Sequence, residues 1–254
     1  MERERWLNQP RGKRHILVNL TDFSSKIIDD DVVTFETRSV IGARDTAKQT
    51  PEFSDRMTYL EINPDWTVPS GIIQRDYLPA LQRNPNALSH LQVIDRRGRV
   101  VPRGQIDFSR YTARSFPYNL RQPPSRNNAL GTVKFMFPNP YAIYLHDTPD
   151  RSHFSREVRA YSNGCVRLGD PHDFAYALLA RQEADPVSYF QGILRSGRQT
   201  RVNLAEPVPI HLIYRTAFTS VRGPMQYRRD VYGRDARVWQ ALAREGVELR
   251  AVRG

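Results

Sequence analysis

The chain is poor in cysteine, in long apolar runs and in metal-ligand spacings, and each shortage closes off a class of protein. One cysteine, Cys165, among 254 residues excludes an internal disulfide. No run of about eighteen apolar residues occurs, so no transmembrane helix is readable. Residues 1–15, MERERWLNQPRGKRH, carry charge but no apolar stretch, which rules out a secretory signal within them. No Cys/His cluster has zinc spacing, and no metal or other cofactor is called for. Internal repeats and low-complexity tracts are absent as well. A mean hydropathy of −0.60 and 26% charged residues indicate a soluble protein with enough length for a sizeable core.

Charge of one sign is in excess. The formal net charge is +11 and the isoelectric point about 10.1, a balance that suits nucleic acid, anionic surfaces or acidic polymers. The excess concentrates in residues 71–127, which hold ten Arg and three Asp but no Lys and no Glu. Nucleic acid is a poor fit as partner, because no RNP-like string and no basic helix interleaved with aromatics appears.

The informative stretch is YAIYLHDTPDRSHFSREVRAYSNGCVRL, residues 141–168. It joins an imidazole, His146, at the end of an apolar run to the lone thiol, Cys165. A thiolate is the reactive form of cysteine, and a neighbouring imidazole can take the proton and stay charged beside it. The order His then Cys is the reverse of papain-like enzymes. A lone cysteine is by itself more often a small buried hydrophobe, so the surrounding pattern has to carry the argument. Fifteen positions separate His146 from Ser162, giving H-x15-S-N-G-C-V-R. This string resembles the signature of the L,D-transpeptidase catalytic domain (YkuD-like), and HDTP and SNGCVRL are similar to its large, Gram-negative branch. Residues 50–72, 116–139 and 208–235 resemble that branch too, so the likeness covers nearly the whole chain. Two departures stand out. Many relatives have His where this chain has Asn163, and large relatives carry further domains upstream.

Periodicity outlines a β-rich α+β fold. Strands are expected over 14–20, 32–37, 57–62, 131–137, 141–145 and 208–218, with a short extended piece between the first two. NPDWTVPSG, 63–71, reads as a loop. RDYLPALQR and NPNALSHL read as short helices, the second capped by Asn84 ahead of Pro85. Asp170-Pro171 and Asp185-Pro186 open two later helices, the first with Phe174, Ala177, Leu178 and Leu179 on one face, the second ending near Gly197. RGPMQYRRD suggests a hairpin turn, and 235–245 a terminal helix with Val238 and Leu242 inward. The resemblance implies a strand sandwich with appended helices, and an inserted capping subdomain at 71–127, expected as a basic lid over the cleft.

Each site residue has a plain reading beside a functional one. Cys165 is the candidate nucleophile and His146 the candidate base, with His153 as its rival. Gly164 permits unusual dihedrals, and the N–H groups of Gly164 and Cys165 could face an oxyanion. Ser162 and Asn163 complete the turn, Asn163 able to position but not to shuttle protons. Tyr144 shares a strand face with His146 and offers a hydroxyl or plain core packing. The family implies that the main-chain carbonyl of Asp147 fixes the His146 tautomer; the Asp147 side chain adds to this or caps a turn. Arg167 holds a substrate carboxylate or pins the cysteine loop. Trp66 lines the cleft or packs. His15, His90, His172 and His211 have no motif around them.

The resemblance implies acyl transfer by a cysteine: attack on the third residue of a peptidoglycan tetrapeptide stem, loss of D-alanine, and resolution of the thioester by another stem's amine to give a 3→3 cross-link. Carbapenem β-lactams are the implied covalent inhibitors, and the periplasm the implied compartment, which makes the chain a cropped domain of a longer protein. The same acyl-enzyme could instead be resolved by water or used to attach or remove proteins. A wall-binding module without catalysis is the reading from another class, and an intact His and Cys count against it.

Overall fold

A computed structural model describes residues 10–219 and 223–247; most of the charged N-terminal segment, and Arg222 of the expected hairpin turn, lie outside them. Nine strands form the main sheet: β1 Arg14–Asn19, β2 Ser24–Asp29, β3 Val32–Gly42, β4 Phe53–Ile62, β9 Val133–Met136, β10 Leu145–His146, β11 Ala160–Ser162, β12 Val166–Leu168 and β13 Thr200–Ile213. Their order is β11-β3-β12-β10-β9-β4-β13-β1-β2, and β2 also pairs with β3. That last pairing closes eight strands on themselves, so only β11 lies outside the ring, and closure removes the open edges that invite aggregation. The inner faces meet over one core, in keeping with the expected β-rich α+β class. Alternation explains it: Val133 and Phe135 point in on β9, and Val202 and Leu204 on β13. Helices α3, Pro171–Leu179, and α4, Pro186–Arg195, cover part of this core through Phe174, Leu178 and Phe190.

A second layer lies between β4 and β9 in the chain. It contains β5 Trp66–Thr67, β6 Gln92–Ile94, β7 Val100–Val101 and β8 Asn119–Gln122, ordered β5-β8-β6-β7. A helical segment runs through α1 Ser70–Ile72, a wide π-helical turn Ile73–Tyr77 and α2 Leu78–Arg83. Its own cluster of buried residues includes Trp66, Ile72, Leu81, Val93, Phe108 and Leu120. Tyr144 packs against both this cluster and the main core.

Several local expectations fail for identifiable reasons. NPNALSHL is a run of turns, because the Asn84 side chain accepts from the Asn86 N–H and Leu88 sits at φ +55°. Asn84 is the residue that ends α2. Residues 141–144 are not a strand. The Asn139 carboxamide takes the N–H groups of Tyr141 and Ile143 and donates to the Ile143 carbonyl, and Ala142 has φ +53°. The presumed loop at Trp66 is instead a short strand paired with Gln122 and Arg121. The long strand starts at Thr200 and ends at Ile213, where Asn19 captures the N–H of Arg215. The chain then forms a hairpin, β14 Ala217–Thr219 with β15 Met225–Tyr227. In the terminal helix α5, Arg234–Arg244, Val238 and Leu242 are only half-buried. Ala177 is likewise half-buried, while Ala175 takes the inward place.

Phe135 is 0% exposed and meets the Phe174 ring edge-on at 5.0 Å, joining α3 to the sheet. Phe135→Ala should cost about 3–5 kcal/mol in urea unfolding. Val187→Ala, at a residue 46% exposed on α4, should lose no stability, since Ala is the better helix former.

Candidate active site

The site is built at the open ends of β10 and β12. These strands run parallel with Leu145 opposite Val166 and His146 opposite Arg167. Side chains alternate along a strand, so Tyr144, His146, Cys165 and Arg167 share one face. The rings of Tyr144 and His146 stand 5.7 Å apart.

The turn from Ser162 to Cys165 is held by hydroxyls. Ser162, 3% exposed, donates to the Cys165 carbonyl at 2.5 Å and accepts the Gly164 N–H at 3.1 Å. Thr50 donates to the Gly164 carbonyl at 2.7 Å while accepting the Gly42 N–H at 2.9 Å. Gly164 has φ +123°, which disfavours any side chain there, and an added Cβ would meet Ile143 at 3.2 Å. The expectation that Gly164 offers its N–H to an oxyanion fails, because Ser162 already occupies that donor. Of the two N–H groups, the one at Cys165 is left. Cys165 is half-buried, and its thiol donates to the Ala142 carbonyl at 3.7 Å.

His146 is 5% exposed, and its Nδ1 is 2.5 Å from the Asp147 carbonyl. A carbonyl only accepts, so Nδ1 carries the proton and Nε2 is free as an acceptor. The Asp147 carboxylate points elsewhere: it takes the Thr132 N–H and hydroxyl, both at 2.8 Å, and the Thr148 N–H at 2.6 Å. It sits so close to Gly131, at φ +62°, that a Cβ there would be 2.2 Å from its oxygen.

Burial dominates the titration of the pair. It lowers the His146 pKa to about 3, helped by the Arg167 charge and opposed by the Asp147 carbonyl. It raises the Cys165 pKa to about 11 against the pull of Tyr144 and Arg167. The expected charged imidazolium beside a thiolate is therefore not the resting state: both groups are neutral at pH near 7. Burial, and then the nearby Cys165, push the Tyr144 phenol well above its usual value, while Trp66 pulls it down. Trp66 thus sits at the hydroxyl of Tyr144, 9% exposed, and presents no open face to a cleft.

Arg167 approaches Asp150 at 3.9 Å, and its Nε is buried without a partner among the described residues. Among the described residues it makes no carbonyl bond that would pin the loop. Asp150 also meets His153 at 3.3 Å, and His153 stacks on Tyr161 at 4.3 Å, so the rival base belongs to a rim network. Asn163, expected near the oxyanion, is exposed, and its carboxamide oxygen accepts from Arg75 of the π-helical turn at 3.3 Å. Thr50, Thr132 and His172 were not legible as site residues; Thr50 and Thr132 lie in stretches that carried the resemblance, and His172 does not.

The model of the YkuD L,D-transpeptidase catalytic domain matches residues 13–188. The chain belongs to the L,D-transpeptidase catalytic-domain family. A provisionally named L,D-transpeptidase of Haemophilus influenzae is 31% identical over 225 residues, which are 88% of this chain and 45% of that protein. The chain therefore spans less than half the length of this relative. Among solved structures, a cysteine-to-serine mutant of the Enterococcus faecium L,D-transpeptidase matches 80% of this chain and 50% of its own at 12% identity, with a TM-score of 0.38. The catalytic domain from the E. faecium L,D-transpeptidase acylated by ertapenem matches 81% of this chain and 100% of its own at 13% identity, with a TM-score of 0.36.

In this L,D-transpeptidase domain the lowered His146 pKa has a thermodynamic consequence. The unfolded chain, with an ordinary histidine near about 6.5, takes up a proton before the folded one does. Stability is therefore fully present above about pH 6.5 and is lost as pH falls toward about 3. Burial lowers His15, His172 and His211 as well, so part of the slope is theirs. Urea unfolding of His146→Gln should show a smaller loss between about pH 7 and about pH 4.5 than wild type. An identical loss would contradict the neutral buried imidazole.

Proposed function

We propose that the protein is a cysteine-dependent L,D-transpeptidase that forms 3→3 peptidoglycan cross-links through a thioester. The observation that carries this reading is the pinned Cys165 turn beside His146, whose Nδ1 is held by the Asp147 carbonyl. Cys165 Sγ attacks the carbonyl of the third residue of a donor tetrapeptide, and its proton passes to His146 Nε2. Because thiol and imidazole are both neutral at rest, that transfer accompanies attack. The negative charge that develops on the carbonyl oxygen is met by the Cys165 N–H, with Tyr144 at hand. Collapse expels D-alanine, whose amine takes the proton from His146. A side-chain amine of an acceptor stem then attacks the thioester, gives up its proton to His146, and returns Cys165 as a thiol. No metal or other cofactor enters these steps.

Arg167 is proposed to bind a carboxylate of the donor stem. Its unpartnered Nε and loose contact with Asp150 support this over a bracing role. Segment 71–127 is proposed as a lid, supported by the Arg75 reach to Asn163 and by its excess of arginine over acid. The natural setting of such a reaction is the periplasm, and carbapenems are the expected acylating inhibitors.

Incubation with a carbapenem should add one acyl mass on Cys165, and Cys165→Ser should abolish the adduct. His146→Ala should acylate about 10²–10⁴-fold more slowly, the range for losing a general base, while His153→Ala stays within about tenfold of wild type. Equal losses in both histidine variants would mean that the assignment of the base to His146 alone is wrong. An unmodified Cys165 in the wild type would remove the acyl-enzyme reading altogether.

A further inference from the structure

His172 has no sequence motif and stands outside the Cys165–His146 pair, yet it ends a chain of hydrogen bonds that begins at His146. His146 Nδ1 is 2.5 Å from the Asp147 carbonyl. The Asp147 N–H donates to the Val133 carbonyl at 2.9 Å, and its carboxylate takes the Thr132 N–H and hydroxyl, both at 2.8 Å. The same Thr132 hydroxyl is 2.7 Å from His172 Nε2.

Proton counting gives this chain a direction. A threonine hydroxyl has one proton and two lone pairs. A carboxylate only accepts, so the Thr132 proton goes to Asp147. The Thr132 oxygen must then accept from His172, which fixes the imidazole as the tautomer with its proton on Nε2. Every bond now points from His172 toward Asp147. The backbone of Asp147 is held on one side by Val133 and its side chain on the other by Thr132, which fixes where its carbonyl aims. That carbonyl in turn holds the His146 ring and its tautomer.

His172 is itself anchored. It is the second residue of α3, and its ring packs at 5.0 Å from Phe190 of α4 and 6.4 Å from Tyr176. Burial keeps it toward the neutral form, with Asp147 and Asp173 pulling the other way and Arg151 assisting burial. The close seat of Asp147 against Gly131 leaves its carboxylate little room to shift when Thr132 is in place. The helical layer is thereby wired to the base on the sheet.

We propose that His172 is a positioning residue for the general base, acting through Thr132 and the Asp147 carbonyl; the inference rests on the acyl-transfer reading above. Misplacement of a reacting group by about 1 Å costs on the order of 100-fold, so loss of this chain should be visible in rate. His172→Leu removes the donor. His172→Gln keeps an N–H that can reach Thr132. Thr132→Val breaks the chain one step nearer to Asp147.

The test uses the full chain and a carbapenem, with the acylation rate constant and half-saturation concentration measured separately, and a thermal melt for each variant. His172→Leu and Thr132→Val should each slow acylation about 10- to 100-fold at unchanged half-saturation, and the double variant should be no worse than the slower single one. His172→Gln should recover to within about threefold of wild type, although it loses the Phe190 ring packing and melts lower. A purely structural His172 would lower the melting temperature of both His172 variants alike and leave the rate per acylatable site at the wild-type value. That result, or additive losses in the double variant, overturns the proposal. If wild type is not acylated at Cys165, it is the acyl-transfer reading that fails, and the two failures are told apart by that control.

Discussion

Everything at the site depends on holding a four-residue turn, Ser162 to Cys165, in a shape that sets a half-buried thiol above a buried sheet. Two buried hydroxyls do this. Ser162 closes the turn on itself, and Thr50 ties it to the end of β3 through Gly42. The tie is braced from the other end of the chain. The Tyr232 hydroxyl donates to the Gly42 carbonyl at 2.6 Å and accepts the Thr50 N–H at 3.3 Å, while Arg234 donates to the Thr50 carbonyl at 2.7 Å. A hydroxyl that donates and accepts satisfies two buried backbone groups at once, and leaving either unmet would cost about 1–3 kcal/mol. Gly42 is obligatory here, because an added Cβ would lie 2.0 Å from the Lys48 carbonyl. The first third of the chain, the cysteine motif and the C-terminal YGRD segment are therefore one mechanical unit.

Burial also decides the chemistry. Desolvation outweighs the Arg167 charge at Cys165 and joins it at His146, so the resting pair is a thiol and an imidazole. A neutral pair is inert toward chance electrophiles and becomes nucleophilic only when an acyl donor is placed to receive the sulfur as the proton leaves. Arg167 fits this arrangement, because its charge favours the developing thiolate. On the proposed acyl-transfer reading, the thiol and imidazole need no charge separation before substrate arrives, which is the cheaper state in a low-dielectric site.

The parts of this that were legible in the sequence are those encoded locally. Apolar runs in RHILVN and VKFM marked strands, and Asp-Pro pairs marked helix starts, since each depends on neighbours in the chain. The spacing of His146 and Cys165 was legible because it is set by one excursion between two adjoining strands. What was hidden is long-range or made by a single side chain. Asn139 turned an apolar run into a turn by capturing its amides, and Asn84 did the same to a presumed helix. The Thr50–Gly164 bond spans 114 residues, and Thr132–His172 spans 40, with no local signal at either end. The role of Gly164 was misread for a related reason: nothing in SNGC reveals that Ser162 consumes its N–H.

The neutral resting pair is the central physical claim, and direct titration of the thiol tests it best. The rate of Cys165 alkylation by iodoacetamide, followed by intact mass from about pH 6 to about pH 11, reports the thiolate fraction. The account predicts slow alkylation at neutral pH that rises steeply and is still climbing above about pH 9, with the midpoint displaced toward the raised Cys165 pKa of about 11. A plateau of fast alkylation reached below about pH 7 would mean a preformed thiolate–imidazolium pair and would contradict it.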